Sequence, residues 1–219
     1  VQPLVTPAVA SSFGTDHIVD PFDTFAYHLA VAFQAPCLYL LQRWLTGPEG
    51  SDLSEPIYPP RDGHWIVCGF GRFGKAICAR LKSEGVEVTV IEAHPEITGR
   101  PDGPLVAGRG TEAVTLQEAN IQSAAGLVAG TDDDANNLSI VMTARELNPK
   151  VFVVVRQNQH DNREIIAAVD AEMVMHPSAI IADLYCDSCV TPATCGSNVI
   201  RPLSANGISA DSYCRPSTS

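Results

Sequence analysis

Between residues 64 and 177 the chain alternates short apolar runs with longer segments of mixed polarity. The runs are of strand length and end in glycine, proline or acidic residues, which predicts strands over 65–68, 86–91, 105–107, 126–130 and 151–155. Helices are expected between them, over 75–83, 113–119, 135–147 and 163–168. A sixth short strand, 173–175, precedes Pro177 and a further helix. Alternation of this kind requires a parallel sheet with right-handed crossovers, so the fold class is α/β.

Outside this region the pattern changes. Residues 46–63 are rich in proline, glycine and charge and read as a linker. The stretch from Ala8 to Phe33 echoes the one that begins at Ala171. Each has an acid-containing turn, a short strand, a proline (Pro21, Pro177), an apolar helix and a second proline (Pro36, Pro192). The echo makes residues 1–45 the expected β-α tail of an upstream copy of the domain at 64–190, with 191–219 a C-terminal extension. The apolar stretch 25–41 is broken by His28, Gln34 and Pro36 and falls short of the roughly 20 clean residues of a membrane span.

Composition narrows the function classes. A length of 219 residues holds one full α/β domain and appendages, but no large second catalytic domain. The 25 acidic against 14 basic residues, a net charge of −11, argue against nucleic acid or anionic lipid as partner. Seven scattered cysteines, with Cys68 on a strand and Cys78 on a helix, do not resemble a secreted disulfide framework and point to a reducing cytosol. The start of the sequence has neither an initiator Met nor a signal-peptide pattern, as expected of a piece of a longer protein.

The chemistry lies at the first strand. His64-Trp65-Ile66-Val67-Cys68-Gly69-Phe70-Gly71-Arg72-Phe73-Gly74 reads as strand, glycine turn and helix start, and the next strand ends in Glu92, eighteen residues past Gly74. In a Rossmann-like sheet Gly69 permits the tight turn, Gly71 lets the backbone approach a pyrophosphate, and Gly74 lets helix and sheet pack closely. The helix start then attracts the phosphates. Glu92 would accept hydrogen bonds from the adenosine ribose and repel a 2′-phosphate, which favours NAD or a plain adenine nucleotide over NADP. Thr131 to Asp134 follow a strand at its carboxyl end, where open α/β sheets bind ligands. Acids there are also good helix caps, and at least one of Asp132, Asp133 and Asp134 is expected to cap while another meets the ligand.

Further motifs follow in order: Val90-Ile91-Glu92-Ala93-His94-Pro95-Glu96, Gly108-Arg109-Gly110-Thr111, Thr131-Asp132-Asp133-Asp134-Ala135-Asn136-Asn137, Ala144-Arg145-Glu146-Leu147-Asn148-Pro149 and Val155-Arg156. Over about residues 64–190 the chain resembles the RCK family, also called TrkA-N or KTN, the cytoplasmic nucleotide-binding domains that regulate potassium channels and transporters. The resemblance implies that Arg72 and the amides around it, in the run Gly69, Phe70, Gly71, Arg72, Phe73 and Gly74, hold phosphates. It puts Glu92 at the ribose, Arg109 and Gly110 by the adenine, and Thr131 and Asp134 near the phosphates or distal ribose. Arg109 and Arg156 are further candidates for bridging phosphates. Many family members carry an Asp where this chain has Arg109. An arginine cannot accept a bond from the adenine amino group but can stack on the ring or pair with phosphate, so the choice among NAD(H), ATP, ADP and AMP stays open.

Other constellations carry less chemistry. Cys186 and Cys189, with Cys195 and His176 nearby, lack the paired ligand groups of a zinc site and the strand-to-helix position of a redox CxxC, so packing is expected. No Ser-His-Asp order, paired-carboxylate spacing or HExxH appears, which speaks against an enzyme. The helices 178–189 and 23–33 are more apolar than solvent-facing helices should be, so each is expected to present an uncovered face to another lobe in a homodimer or larger ring. The preferred reading is a cytoplasmic regulatory domain at the inner face of the cell membrane. It would bind NAD(H) or an adenine nucleotide and gate a potassium channel or transporter. The alternatives are an NAD-dependent oxidoreductase fragment lacking its catalytic domain, and a scaffold lobe with no ligand.

Overall fold

Trp65, Ile66, Val67 and Cys68 are almost wholly buried because their strand lies inside a six-stranded sheet covered on both faces. A computed structural model describes residues 20–46, 55–178 and 180, all within the compact unit 1–183. The second unit, 184–219, lies outside the described residues. Two helices come first, α1 (Pro21–Gln34) and α2 (Pro36–Thr46). The sheet strands are β1 (His64–Cys68), β2 (Glu87–Glu92), β3 (Leu105–Ala107), β4 (Gly126–Ala129), β5 (Phe152–Arg156) and β6 (Met173–Met175). Between them run α3 (Arg72–Ser83), the short α4 (Pro95–Thr98), α5 (Ala113–Glu118), α6 (Asp134–Leu147) and α7 (Arg163–Ala167).

All pairings are parallel, in the order β3-β2-β1-β4-β5-β6. This is the doubly wound Rossmann order, and its reversal point falls between β1 and β4. Successive residues alternate between two cores. Trp65, Val67, Val90 and Val154 join one with α1 and α3; Ile66, Cys68, Ile91 and Val153 join the other with α5, α6 and α7. The expected strands and helices are present with shifts of one residue or so at most ends. The larger shift is at α3, which begins at Arg72 rather than 75 because the glycine turn passes directly into the helix, with Gly71 as its N-cap.

Helix α1 corrects an expectation. Asp20 caps it through Oδ1, which accepts from the Phe22 amide at 2.9 Å, and Pro21 takes the first helical position, where a missing N–H costs nothing. Its apolar face, Phe25, Leu29, Ala32 and Phe33, is not left open. It is buried on α3 and the sheet, with Phe33 5.4 Å from Trp65 and Phe25 5.9 Å from Phe73 between ring centres. The face is satisfied within the chain because it joins one buried core with Trp65, Val128, Phe152 and Val154 of strands β1, β4 and β5. Polar contacts mark both ends of the packing: Arg72 Nη2 donates to Asp20 Oδ2 at 3.1 Å, and Gln34 Nε2 to Glu84 Oε1 at 2.9 Å. The helices therefore run parallel, with their N-termini together.

The described part of the expected linker, 55–63, is irregular but docked, since Trp65 Nε1 donates to Pro60 O at 3.1 Å and Ile57 packs on the core. The stretch 25–41 is split between two helices at Ala35, and no described helix is long and apolar enough to cross a membrane. The upstream half of the internal echo (1–19), helix 178–189 beyond residue 180, Cys186, Cys189, Cys195 and the extension 191–219 lie outside the described residues.

Candidate functional site

Strands β1, β2 and β4 end side by side, with Cys68 in register with both Ile91 and Ala129, so the loops that leave them converge. The β1–α3 turn is held by Gly69 N donating to Ile91 O at 2.8 Å, and Gly69 takes a left-handed φ of +94°. At Gly74 a side chain is impossible: a Cβ would lie 2.0 Å from Gly69 O. Gly71 differs, with φ −70° and nothing within 4 Å of the position its Cβ would take. The space over Gly71 is open, as close approach of a pyrophosphate to the main chain requires.

A cleft of about 280 Å³ lies at these strand ends. It brings together five of the expected site residues, Gly69, Glu92, Arg109, Gly110 and Thr131. Glu92 is 8 % exposed. Its Oε2 accepts from the Phe70 amide at 2.6 Å and its Oε1 from the His94 amide at 2.9 Å. Each carboxylate oxygen has two lone pairs, so one acceptor position per oxygen remains, matching the two hydroxyls of a ribose. Arg109 is exposed at the rim, and Thr131 is fixed by the fully buried Asn137. Asn137 Oδ1 accepts from Thr131 Oγ1 at 2.7 Å, and its Nδ2 donates to Thr131 O at 3.0 Å and to Arg156 O at 2.8 Å, tying the ends of β4 and β5 together.

The other expected residues sit elsewhere. Phe70 and Phe73 are buried in the core, so only their main chain can serve a ligand, and the Phe70 amide is already engaged by Glu92. Asp134 is not in the cleft. Its Oδ1 accepts from the Asn158 amide at 2.6 Å and Asn158 Nδ2 at 2.9 Å, its Oδ2 from the Gln159 amide at 2.9 Å and Asn162 Nδ2 at 2.8 Å. Four donors fill the four lone-pair positions of a carboxylate, so Asp134 pins the loop after β5. Burial pushes its carboxyl up, but the bonds from Asn162, Asn158 and Gln159 together outweigh this and hold it below the usual aspartate range. Asp133 is the cap of α6, accepting from the Asn136 amide at 2.8 Å, and Asp132 pairs with Arg156.

Arg72 and Arg156 are not among the residues that line the cleft; both lie against Phe22 from α1, with guanidinium carbons 5.0 and 4.9 Å from its ring centre. Sequence reasoning missed Asp20 and Phe22 here, although the acid-proline start of a helix was a signal that a capped N-terminus lay somewhere. It also missed His94, Asn136 and Ile140 in the cleft lining. Cys68 forms part of that lining, and burial pushes its thiol up to about 12, so it is an uncharged wall at neutral pH. A larger cleft, about 600 Å³, opens at the amino edge of β2, away from these loops. Among the described residues no cluster of His, Cys, Asp and Glu has the form of a metal site.

Comparison with known proteins agrees with this fold. The chain is 32% identical over 137 residues to a Trk system potassium uptake protein TrkA homolog of Pyrococcus abyssi, covering 58% of this chain and 60% of that one. It is 26% identical over 121 residues to potassium channel protein 1 of Methanocaldococcus jannaschii, covering 53% and 36%. Among solved structures, the GsuK RCK domain superposes with a TM-score of 0.53 at 28% identity over 61% of this chain and 28% of that one. The GsuK channel bound to NAD gives 0.50 at 26% identity, over 62% and 24%. The chain spans between about a fifth and three-fifths of the length of the curated relatives it matches. The TrkA-N domain model matches residues 65–177, which takes in the sheet from Trp65 onward and every residue that lines the cleft, and the chain belongs to the TrkA-N domain family.

Proposed function

We propose that this chain is a regulatory nucleotide-binding domain rather than an enzyme, and that occupancy of its cleft gates a membrane potassium channel or transporter from the cytoplasmic side. The observation that carries the reading is Glu92: a buried carboxylate with two free acceptor positions, beside an open glycine turn, at the carboxyl edge of the sheet. That donor and acceptor set suits the ribose of NAD(H), ATP, ADP or AMP and disfavours a 2′-phosphate through charge repulsion. Gly69, Gly71 and the amides that open α3 would face the phosphates, with Arg72 on the first turn of that helix as a cation for them. Arg109 and Gly110 would flank the base, and Thr131 would meet the phosphates or distal ribose. Arg156 would act at the phosphates only after leaving Asp132. The bound state of the GsuK channel and the potassium-transport names of the relatives support this assignment. The oxidoreductase alternative draws no support from them.

In this reading residues 1–45 are the tail of an upstream lobe whose helix crosses onto the sheet of the 64–190 domain, and 178–189 performs the same crossing onto another lobe. The packing of α1 on α3 supports the first half of that statement. A nucleotide can bias a pore only by its difference in affinity between two lobe arrangements.

The test is thermal unfolding of the chain titrated with NAD⁺, NADH, NADP⁺, ATP, ADP and AMP. A ligand specific for the folded state adds about 2.7 kcal/mol of stability at a hundredfold excess over Kd. We expect such a shift with NAD(H) or an adenine nucleotide, lost in Glu92→Gln, and none with NADP⁺. No shift with any of the six would overturn the reading and leave an assembly lobe.

A further inference from the structure

Asp20 and Arg72 are 52 residues apart in the sequence, yet they pair at the mouth of the glycine turn, Arg72 Nη2 donating to Asp20 Oδ2 at 3.1 Å. Asp20 uses its other oxygen to cap α1, so its position is set by the helix and not by the pair. The Phe22 ring is within 5.0 Å of the guanidinium carbons of both Arg72 and Arg156, and 6.0 Å from the ring of Phe73, the residue after Arg72. Arg156 is itself paired with Asp132, and its Nε is buried without a protein partner. Two acids and one aromatic ring thus hold both arginines beside the cleft, and one acid with the ring comes from the N-terminal helix.

We propose that Asp20 and Phe22 are an internal occupant of the phosphate end of the nucleotide site, so that nucleotide phosphates and docked α1 compete for Arg72. The inference rests on the nucleotide-binding reading above and adds to it the means by which occupancy is felt by a neighbouring element. A guanidinium edge recognises carboxylate and phosphate oxygens with the same paired N–H geometry, so one Arg72 cannot serve both fully. Asp20 also places a negative charge where phosphates would approach. The pair is solvent-accessible, at 51% for Arg72 and 38% for Asp20, which makes it a weak contact that a phosphate group can displace. By reciprocity, whatever α1 docking costs phosphate affinity, phosphate binding takes from α1 docking. Because α1 is the expected tail of an upstream lobe, the competition would link the site to that lobe.

The test uses the full chain and calorimetric titration with ADP, NAD⁺ and adenosine. Asn is as good a helix cap as Asp, so Asp20→Asn keeps α1 capped and removes only the charge. We expect it to tighten ADP and NAD⁺ by about two- to fivefold, the range of an exposed ion pair, and to leave adenosine, which has no phosphate, unchanged. The gain should vanish in an Arg72→Ala background. Hydrogen exchange of the wild-type α1 amides, 21–34, should quicken when ADP is added. Unchanged ADP affinity in Asp20→Asn, an equal gain for adenosine, or a gain that persists in Arg72→Ala would each overturn the competition while nucleotide binding itself stands. Binding of none of the three ligands to wild type would instead overturn the site reading, and the competition with it.

Discussion

Glycines 71 and 74 stand three residues apart in one motif but have opposite structural roles. The Cβ of Gly74→Ala would collide with Gly69 O in the main chain, which cannot yield without opening the turn. That substitution should cost about 3 kcal/mol or more and be visible as a fall in the urea midpoint. Gly71→Ala meets no atom and has an ordinary φ, so its stability change should stay within about 1 kcal/mol. Unchanged stability with lost nucleotide-induced stabilisation in Gly71→Ala would place the ligand directly over this residue. Asp134 is a further case of a site-like residue with a structural role. Asp134→Asn keeps the shape but turns an amide NH₂ toward existing donors, and should cost about 2–3 kcal/mol in chemical unfolding. If Asp134→Asn proved neutral, the loop after β5 would not depend on the carboxylate.

Among the elements, α1 and the Ala144 to Pro149 motif show how a pattern can be seen and its purpose missed. The motif resembles a family signature, and its work is mechanical. Arg145 donates to Val151 O at 2.7 Å and to Glu172 Oε1 at 2.8 Å, while Asn148 Nδ2 donates to the carbonyls of Ile121 and Ala124 at 2.9 and 3.0 Å. These bonds hold the end of α6 to the edges of β4, β5 and β6. Helix α1 packs Phe33 on Trp65, in the same buried core as Phe152, so without the helix this face of the sheet would be more exposed. Deleting residues 1–46 should therefore lower the unfolding midpoint and drive the remaining chain to self-associate, as read by sedimentation velocity. A deletion variant that stays monomeric and equally stable would show that α1 is not part of this core.

For the molecule as a whole, acid should weaken the fold in a way that specific histidines report. Burial lowers the affinity of His28 for a proton. His176 is lowered by burial, with Arg163 and His160 adding like charge and Asp134 partly opposing them. Both pKa values fall below the usual imidazole value of 6.5 in the folded state, so between that value and the folded one the unfolded chain binds more protons. Stability contributed by neutral His28 and His176 is complete above about 7 and declines as pH falls through 6.5 toward their folded values. The slope of stability against pH between 7 and 5 should be smaller in His28→Gln and His176→Gln than in the parent. An identical slope in both variants would remove these residues as its source. Asp134 adds a second loss at lower pH, as the solution passes below the ordinary aspartate value of 3.8.

The sequence by itself determined the sheet, its parallel sense and the identity of the turn at Gly69, because strand and helix periods and glycine spacing are local properties of the chain. It also singled out Glu92, since the acid at the end of the second strand is placed by that same repeat. Only the tertiary structure decided where Asp134 points, that Arg72 and Arg156 share the ring of Phe22, and that the apolar face of α1 is covered by its own chain. The reason is physical. Those outcomes depend on contacts between residues tens of positions apart, and a side chain's partners are set by which elements pack against it, not by its neighbours in sequence.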